Sequence, residues 1–254
     1  MKINYRLVTP PKYLEEFVES FWMLSNLTNE KQDIIVLPDG RVDLFLTAAD
    51  LESFRIVLLG LDTKPFARVI LPGKIIFAIS FKPIAISYLF QENLASIKNS
   101  ALVLPNDFWG FHEGDLDSFD QFCAKAIDRL NHLMPKRYDE KKIKLFDLIY
   151  KERGEIKVKD VAKTLQWNER SMNRFFNKHY GMSLKQYATI IRFKSAFRQL
   201  KEGLLYPEGN FADQSHFIKE IKKNAGVTPK ELYVNEGDKF IQIRIENFEA
   251  EHDL

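Results

Sequence analysis

Length, composition and charge bound what kind of protein this chain is. With 254 residues, 45% of them hydrophobic and 28% charged, it is long enough for two packed domains, and a disordered or fibrous protein is excluded. No apolar run has the length of a signal-peptide core or of a membrane span, so we predict a cytoplasmic protein without a membrane partner. One cysteine and five histidines give no basis for a disulfide or a structural zinc site, and neither metal nor cofactor is expected.

Positive charge is concentrated in one segment. Residues 1–140 hold 15 Lys and Arg against 19 Asp and Glu, whereas residues 141–233 hold 20 against 10. Residues 234–254 are acidic again, with 2 against 6. This asymmetry indicates a polyanion partner such as nucleic acid for the basic segment, although a solvated, lysine-rich helical domain gives the same balance.

Apolar and β-branched runs separated by turn residues fill the first hundred positions. The pattern predicts a hairpin whose strands, residues 34–37 and 41–47, flank the turn Pro38-Asp39-Gly40. Further strands are predicted over residues 54–59 and 74–81. A small antiparallel β-sheet or barrel would close such a set of strands.

Helical spacing follows, over residues 83–90 and 116–134, and these helices cover the sheet or meet a second copy of it. The charged stretch opened by Pro135 marks a domain boundary, so we predict an α+β protein with domains 1–135 and 142–233. An acidic tail, residues 234–254, ends the chain. Its apolar residues are Phe240, Ile241, Ile243 and Ile245. They could add a strand to the sheet or form a partner surface, and the sequence pattern is compatible with both.

Three helices are predicted after the boundary, over residues 142–153, 158–165 and 169–179. The third has an apolar side made of Met172, Phe175, Phe176 and Tyr180. Its other side carries Arg170, Asn173, Arg174 and Asn177. A DNA-recognition helix needs one side for the core and long donors on the other for base edges in the major groove. An ordinary amphipathic helix with a solvated face has the same pattern.

The string VKDVAKTLQWNERSMNRFFNKHYGMSLKQY, residues 158–187, closely resembles the first helix-turn-helix of the AraC/XylS family of transcription regulators. Residues 210–219 and 226–233 resemble the closing signature of that family. The stretch between residues 187 and 210 resembles its linker helix at Arg192, Ala196 and Leu200. The resemblance implies an all-α C-terminal domain with two helix-turn-helix units joined by a linker helix.

Site residues carried over from the family lie on both units. The implied base contacts are Arg170, Asn173 and Arg174 in the first unit and Gln214, Ser215 and Lys219 in the second. The implied phosphate contacts are Lys178, Ser183, Lys185, Lys222, Lys223, Thr228 and Lys230. Alternatively, the lysines among them are simply solvated, and Ser183 and Thr228 only cap helices. One departure concerns residues 202–210, which are too few for the usual supporting helix and contain Pro207, so we expect a loop or short turn there.

The N-terminal part resembles the sensor-type domain of one branch of these regulators at Phe21-Trp22, Val36 to Gly40 and Phe81-Lys82-Pro83. The resemblance implies a small-molecule effector, a homodimer, double-stranded DNA and RNA polymerase as partners, and regulation of transcription as the output, with activation expected and repression as the alternative. Four residues are candidates for an effector pocket: Trp22, Asp39, Asp43 and Lys82. The alternative assigns Pro38-Asp39-Gly40 to a plain turn and Trp22 to the core.

Two other functions share part of this pattern. A sequence-independent nucleic-acid-binding protein would use the same basic charge without base contacts. A DNA-repair methyltransferase with a similar DNA-binding unit would need a reactive cysteine, and Cys123 is the only candidate. Because Cys123 lies on the apolar side of a predicted helix, an inert thiol is the better interpretation, and no catalytic residue is predicted.

Overall fold

An antiparallel β-domain forms the N-terminal part of the computed structural model, which describes residues 3–49, 52–90, 93–135, 137–206 and 211–243. Its strands are β1 (Ile3–Val8), β2 (Val18–Asn26), β3 (Gln32–Val36), β4 (Val42–Ala49), β5 (Glu52–Leu59), β6 (Phe66–Ile70), β7 (Ile75–Phe81) and β8 (Ala101–Leu104). Six of them form one sheet in the order β1-β2-β7-β4-β5-β8, while β3 and β6 form a second sheet. The predicted antiparallel sheet is confirmed.

Two helices, α1 (Pro83–Leu89) and α2 (Phe119–Leu133), cover the large sheet. Apolar side chains at alternate positions of β4, such as Val42 and Leu44, are completely buried. The ring of Phe77 on β7 meets those of Phe119 and Phe122 on α2, with centroids 5.2 and 5.6 Å apart. The predicted helices therefore exist and pack on the sheet of the same chain.

The predicted hairpin between residues 34–37 and 41–47 is wrong. β3 pairs with β6, whereas β4 lies between β5 and β7 in the other sheet. The residues between them carry the chain from one sheet to the other. Gly40 adopts a φ of +75°, and its carbonyl oxygen accepts a hydrogen bond of 3.1 Å from the Tyr187 hydroxyl. The turn residues thus mark a crossover held by a distant helix, which no local pattern reveals.

The C-terminal part is helical, with α3 (Glu140–Lys151), α4 (Val158–Thr164), α5 (Glu169–Tyr180), α6 (Leu184–Lys201), α7 (Gln214–Ala225) and α8 (Pro229–Val234). Gly181 and Gly226 end α5 and α7 in the left-handed conformation, at φ +66° and +76°. In the described ranges, none of the helices has the length and apolar character needed to cross a membrane. The fold is α+β, as predicted.

The two parts are packed together, because one cluster of buried side chains contains Phe17 and Phe81 as well as Phe146 and Phe176. A second contact is made by the C-terminal strap, which we define as residues 239–243. Phe240 of the strap forms a single parallel bridge with Ile35 on β3, and residues 241–243 are helical. This part of the predicted tail thus contacts β3 but adds no strand to either sheet in its described residues, while Ile245 lies outside the described residues.

Candidate nucleic-acid interface

The first candidate recognition helix is α5, and one of its sides is completely buried. Met172 and Phe176 have no exposed surface, and the rings of Phe176 and Phe146 are stacked with centroids 5.6 Å apart. The Asn168 side chain caps the helix by accepting a hydrogen bond from the Ser171 amide at 3.2 Å. Packing and capping together fix which side of α5 faces outward.

The outward side of α5 presents two of the three predicted base-contacting residues. Arg170 and Arg174 are exposed. Asn173 is half-buried, and its side-chain oxygen accepts a hydrogen bond of 3.4 Å from the Leu184 amide at the start of α6. Asn177 donates to the Asn173 carbonyl oxygen at 2.9 Å. The two arginines are thus available to an external partner, while Asn173 also serves the junction of α5 and α6.

The second candidate recognition helix, α7, buries Phe217 and Ile221 completely. Ser215 and Lys219 are exposed on its other side. Gln214 is half-buried, and its amide nitrogen donates a hydrogen bond of 3.2 Å to the Leu205 carbonyl oxygen. The structure therefore exposes Ser215 and Lys219 and gives Gln214 a partner within the chain. The predicted phosphate-contacting lysines of both units are all exposed: Lys178, Lys185, Lys222, Lys223 and Lys230.

Ser183 and Thr228, the other two predicted phosphate contacts, each begin a helix with a reciprocal capping box. The Ser183 hydroxyl accepts from the Gln186 amide at 3.2 Å, and Gln186 accepts from the Ser183 amide at 3.0 Å. In the second unit Glu231 takes the place of Gln186, accepting from the Thr228 amide at 2.7 Å. This backbone hydrogen bond lowers the pKa of the Glu231 carboxyl. The helix start of the second unit therefore carries a negative charge that the first lacks.

The chain between α6 and α7 contains no helix in its described residues, 202–206 and 211–213. Pro207 and Gly209, on which the expected loop partly rested, lie outside the described residues. The ring of Phe211 packs edge-on against Phe217 at 4.9 Å between centroids. In these described residues α7 is thus supported by a side chain, Phe211, where a supporting helix was not expected either.

A polar network that the sequence did not predict joins α6 to α7. Arg192 on α6 makes three hydrogen bonds of 2.8 to 3.0 Å to the Glu220 carboxylate on α7. His216, one turn before Glu220, lies 3.2 Å from the same carboxylate. The resemblance identified Arg192 as a family position but not its partner Glu220, because the two residues meet only through the packing of α6 against α7.

Three of the four candidate pocket residues, Trp22, Asp39 and Asp43, belong to one polar group, and Lys82 lies in a separate cleft. Trp22 donates a hydrogen bond of 3.0 Å to the Ser80 hydroxyl, and Ser80 in turn donates to Asp43. Burial raises the pKa of the Asp43 carboxyl to about 6, against the opposing charge of Arg41. Asp39 is held by Arg41 through an ion pair of 2.6 Å. The polar groups of Trp22, Asp39 and Asp43 thus have hydrogen-bond or ion-pair partners within the chain.

Lys82, the fourth candidate, lines a separate cleft of about 390 Å³ with Glu19, Tyr150 and Lys194. Its ammonium group donates to the Glu15 carbonyl oxygen at 2.5 Å. Glu19 on β2 and Lys194 on α6 form an ion pair across the two parts of the chain. Although burial acts in the opposite direction, the charges of Lys194 and Arg41 lower the pKa of Glu19 to about 2. The sequence did not predict this ion pair, because Glu19 and Lys194 are far apart in the chain and belong to no shared motif.

Cys123 lies on the buried side of α2. Burial and the neighbouring charge of Asp120 raise the pKa of its thiol to about 12. Because the thiolate is the nucleophile, this environment suppresses cysteine chemistry at neutral pH. Within the described ranges, no three His, Cys, Asp or Glu side chains lie close enough to hold a metal ion.

Comparisons with known proteins bear on both parts of the chain. Residues 161–233 match a family described as a helix-turn-helix domain, and residues 6–102 match one described as a domain of unknown function (DUF6597). No curated protein matches the chain. ToxT from Vibrio cholerae is 15% identical, with a TM-score of 0.42 over 91% of this chain and 97% of ToxT. ToxT bound to (E)-4-(8-methylnaphthalen-1-yl)but-3-enoic acid is 14% identical, with the same coverage and TM-score.

The helix-turn-helix family match covers the candidate interface itself. It runs from α4 to the end of α8 and includes both helices whose polar sides face outward. Each of these helices ends at a left-handed glycine and is followed by a capped helix. Residues 161–233 are therefore a helix-turn-helix domain, and both outward-facing helices lie within it.

Proposed function

We propose that the chain is a sequence-specific regulator of transcription that reads double-stranded DNA with α5 and α7. The observation that supports this most strongly is the outward position of Arg170 and Arg174, on a helix whose opposite side is completely buried. Arginine can bridge the O6 and N7 atoms of guanine in the major groove. The exposed lysines near both helices add phosphate contacts, which increase affinity without sequence information.

The proposal assigns control of DNA binding to residues 1–135 and DNA binding itself to residues 142–233. Three polar contacts between these parts support the assignment: Tyr187 to Gly40, Lys194 to Glu19, and Lys98 to the Gly181 carbonyl oxygen at 2.6 Å. If the two parts can adopt a second arrangement in which these contacts differ, an effector or partner that binds one arrangement more tightly would change the DNA affinity. The effector, a homodimer, RNA polymerase contact, activation and a cytoplasmic location stay predictions within this proposal.

The test begins with selection of genomic fragments by the purified full-length protein, followed by gel-shift titration of Arg174→Ala. We expect the variant to lose about 1–3 kcal/mol on the selected site and much less on unrelated DNA. Arg55→Ala, which removes an exposed arginine from β5, is the matched control and should bind as the wild type does. Equal weakening of Arg174→Ala on every sequence would support the sequence-independent alternative.

The proposal contains no catalytic step. The buried, high-pKa thiol of Cys123 supports this, because a repair methyltransferase needs a reactive thiolate. After incubation with alkylated DNA, mass spectrometry should find Cys123 unmodified. A stoichiometric alkyl adduct on Cys123 would refute this part of the proposal.

A further inference from the structure

Arg192 contacts the middle of α7 from the linker helix α6. Its Nε donates to Glu220 Oε1 at 3.0 Å, and one terminal nitrogen donates to both carboxylate oxygens at 2.8 Å. The Glu220 side chain keeps only 5% of its surface exposed. Asn224, one turn later, donates to the Glu220 carbonyl oxygen at 2.8 Å. Arg192 on α6 is thus bound directly to one buried carboxylate of the second recognition helix, which His216 also approaches at 3.2 Å.

Apart from this pair, α7 is held against α6 and α8 mainly by apolar packing. Phe217 and Ile221 bury an apolar stripe, but apolar packing is not directional. No helix precedes α7 in residues 202–206 or 211–213 to hold it from the other side. A guanidinium bound to a carboxylate through several hydrogen bonds is planar and directional. The Arg192–Glu220 pair therefore restrains the rotation of α7 about its own axis.

We propose that Arg192 is a positioning residue, which holds α7 in the orientation where Ser215 and Lys219 face the DNA. Arg192 acts through Glu220 and does not contact DNA itself. The inference rests on the proposed function and deepens it, because it makes base reading by the second unit depend on a pair between α6 and α7. The first unit reads its half of the site without this pair.

The test uses the full-length protein, a DNA site selected by the wild type, and footprinting with base substitutions in each half of the site. Arg174→Ala and Lys219→Ala first show which half each helix reads. Arg192→Lys keeps the charge without the planar fork, and Glu220→Gln keeps the shape without the charge. For both we expect loss of protection and base preference in the α7 half, about tenfold weaker binding overall, and an unchanged α5 half.

The matched control is Arg198→Lys, at an exposed position on the same helix. The charge reversal that combines Arg192→Glu with Glu220→Arg should restore part of the α7 half, although each single reversal loses it. Parallel loss in both halves together with a lower melting temperature would show a merely structural role and overturn the inference. Retained readout of the α7 half would overturn it too. A wild type without base preference would instead overturn the proposed function.

Discussion

The two helix-turn-helix units are attached to the rest of the molecule in different ways. The first is built on α4 and α5 and shares its aromatic core with the N-terminal domain, because Phe146 and Phe176 belong to the same buried cluster as Phe17. The second has its own smaller cluster around Phe217 and is joined to β3 by Leu37 and the C-terminal strap. The first unit is thus part of the main core shared with the N-terminal domain, whereas the second meets that domain through a smaller cluster and a few hydrogen bonds.

This difference indicates that the units have different local stabilities. A segment with fewer buried apolar contacts opens at lower free energy than the main core of a protein. We therefore expect the second unit to be the more easily displaced of the two when the N-terminal domain changes. The following predictions test this comparison, beginning with the largest effect.

A substitution in the shared core should destabilise the whole chain, whereas one in the core of the second unit should destabilise mainly that unit. Phe176→Ala should lower the free energy of unfolding of the whole chain by about 3–5 kcal/mol, because it opens a cavity in the shared cluster. Phe217→Ala should instead increase amide hydrogen exchange mainly in α7 and α8. Urea unfolding and hydrogen-exchange mass spectrometry measure the two effects. Equal exchange throughout the chain for both variants would show that the units are not separable.

The ion pair between Glu19 and Lys194 tests the attachment of the linker helix. Glu19→Gln should cost about 2–3 kcal/mol at neutral pH, less than a fully buried pair because each side chain keeps about a fifth of its surface exposed. The pKa of Glu19 is about 2 in the folded chain, below its ordinary 4.5, so its contribution is present above pH 4.5.

As the pH falls from 4.5 towards 2, Glu19 becomes protonated and the difference between wild type and Glu19→Gln should shrink. Urea unfolding at pH 7 and pH 3.5 measures this change. Glu16→Gln, at an exposed neighbouring position, is the control and should have little effect at either pH. A difference that grows on acidification would contradict the assigned direction of the pKa shift.

The C-terminal strap tests the attachment of the second unit. Gln242 accepts from the Leu37 amide at 2.9 Å and donates to the Leu37 carbonyl oxygen at 2.8 Å. Gln242→Ala leaves both backbone groups unsatisfied and should cost about 1–2 kcal/mol. Hydrogen exchange should rise at Leu37 and in α7 but not in α5. Gln121→Ala on the exposed side of α2 is the control, and faster exchange in α5 would break the comparison.

The helix starts after the two recognition helices provide the smallest effect. Glu231→Gln gives the second unit the neutral capping residue that the first has in Gln186, and retains an acceptor for the Thr228 amide. Without the carboxylate charge, DNA affinity should rise about two- to fivefold at low salt. Gel-shift titration at several salt concentrations measures the change, with Glu236→Gln as control. An affinity that stays equal to that of the wild type at low salt would show that this helix start does not approach phosphate.

Much of the C-terminal domain was predictable from sequence, because local patterns encode it. The apolar stripe of α5 and the caps Ser183 and Thr228 all lie within a few residues of what they stabilise. Strands β1, β2, β6 and β8 were not predicted, and the hairpin was placed wrongly. Strand partners are chosen by packing over long sequence distances, as β2 with β7 and β3 with β6 show.

The candidate site divides in the same way. The sequence determined which residues form the recognition helices and which of their sides is polar, since an amphipathic helix carries its own orientation in a 3.6-residue period. Only the tertiary structure decided which polar groups meet: Arg192 with Glu220, Lys194 with Glu19, and Gln214 with the Leu205 carbonyl oxygen. Directional contacts between distant segments depend on how the elements pack, and no residue spacing records that packing.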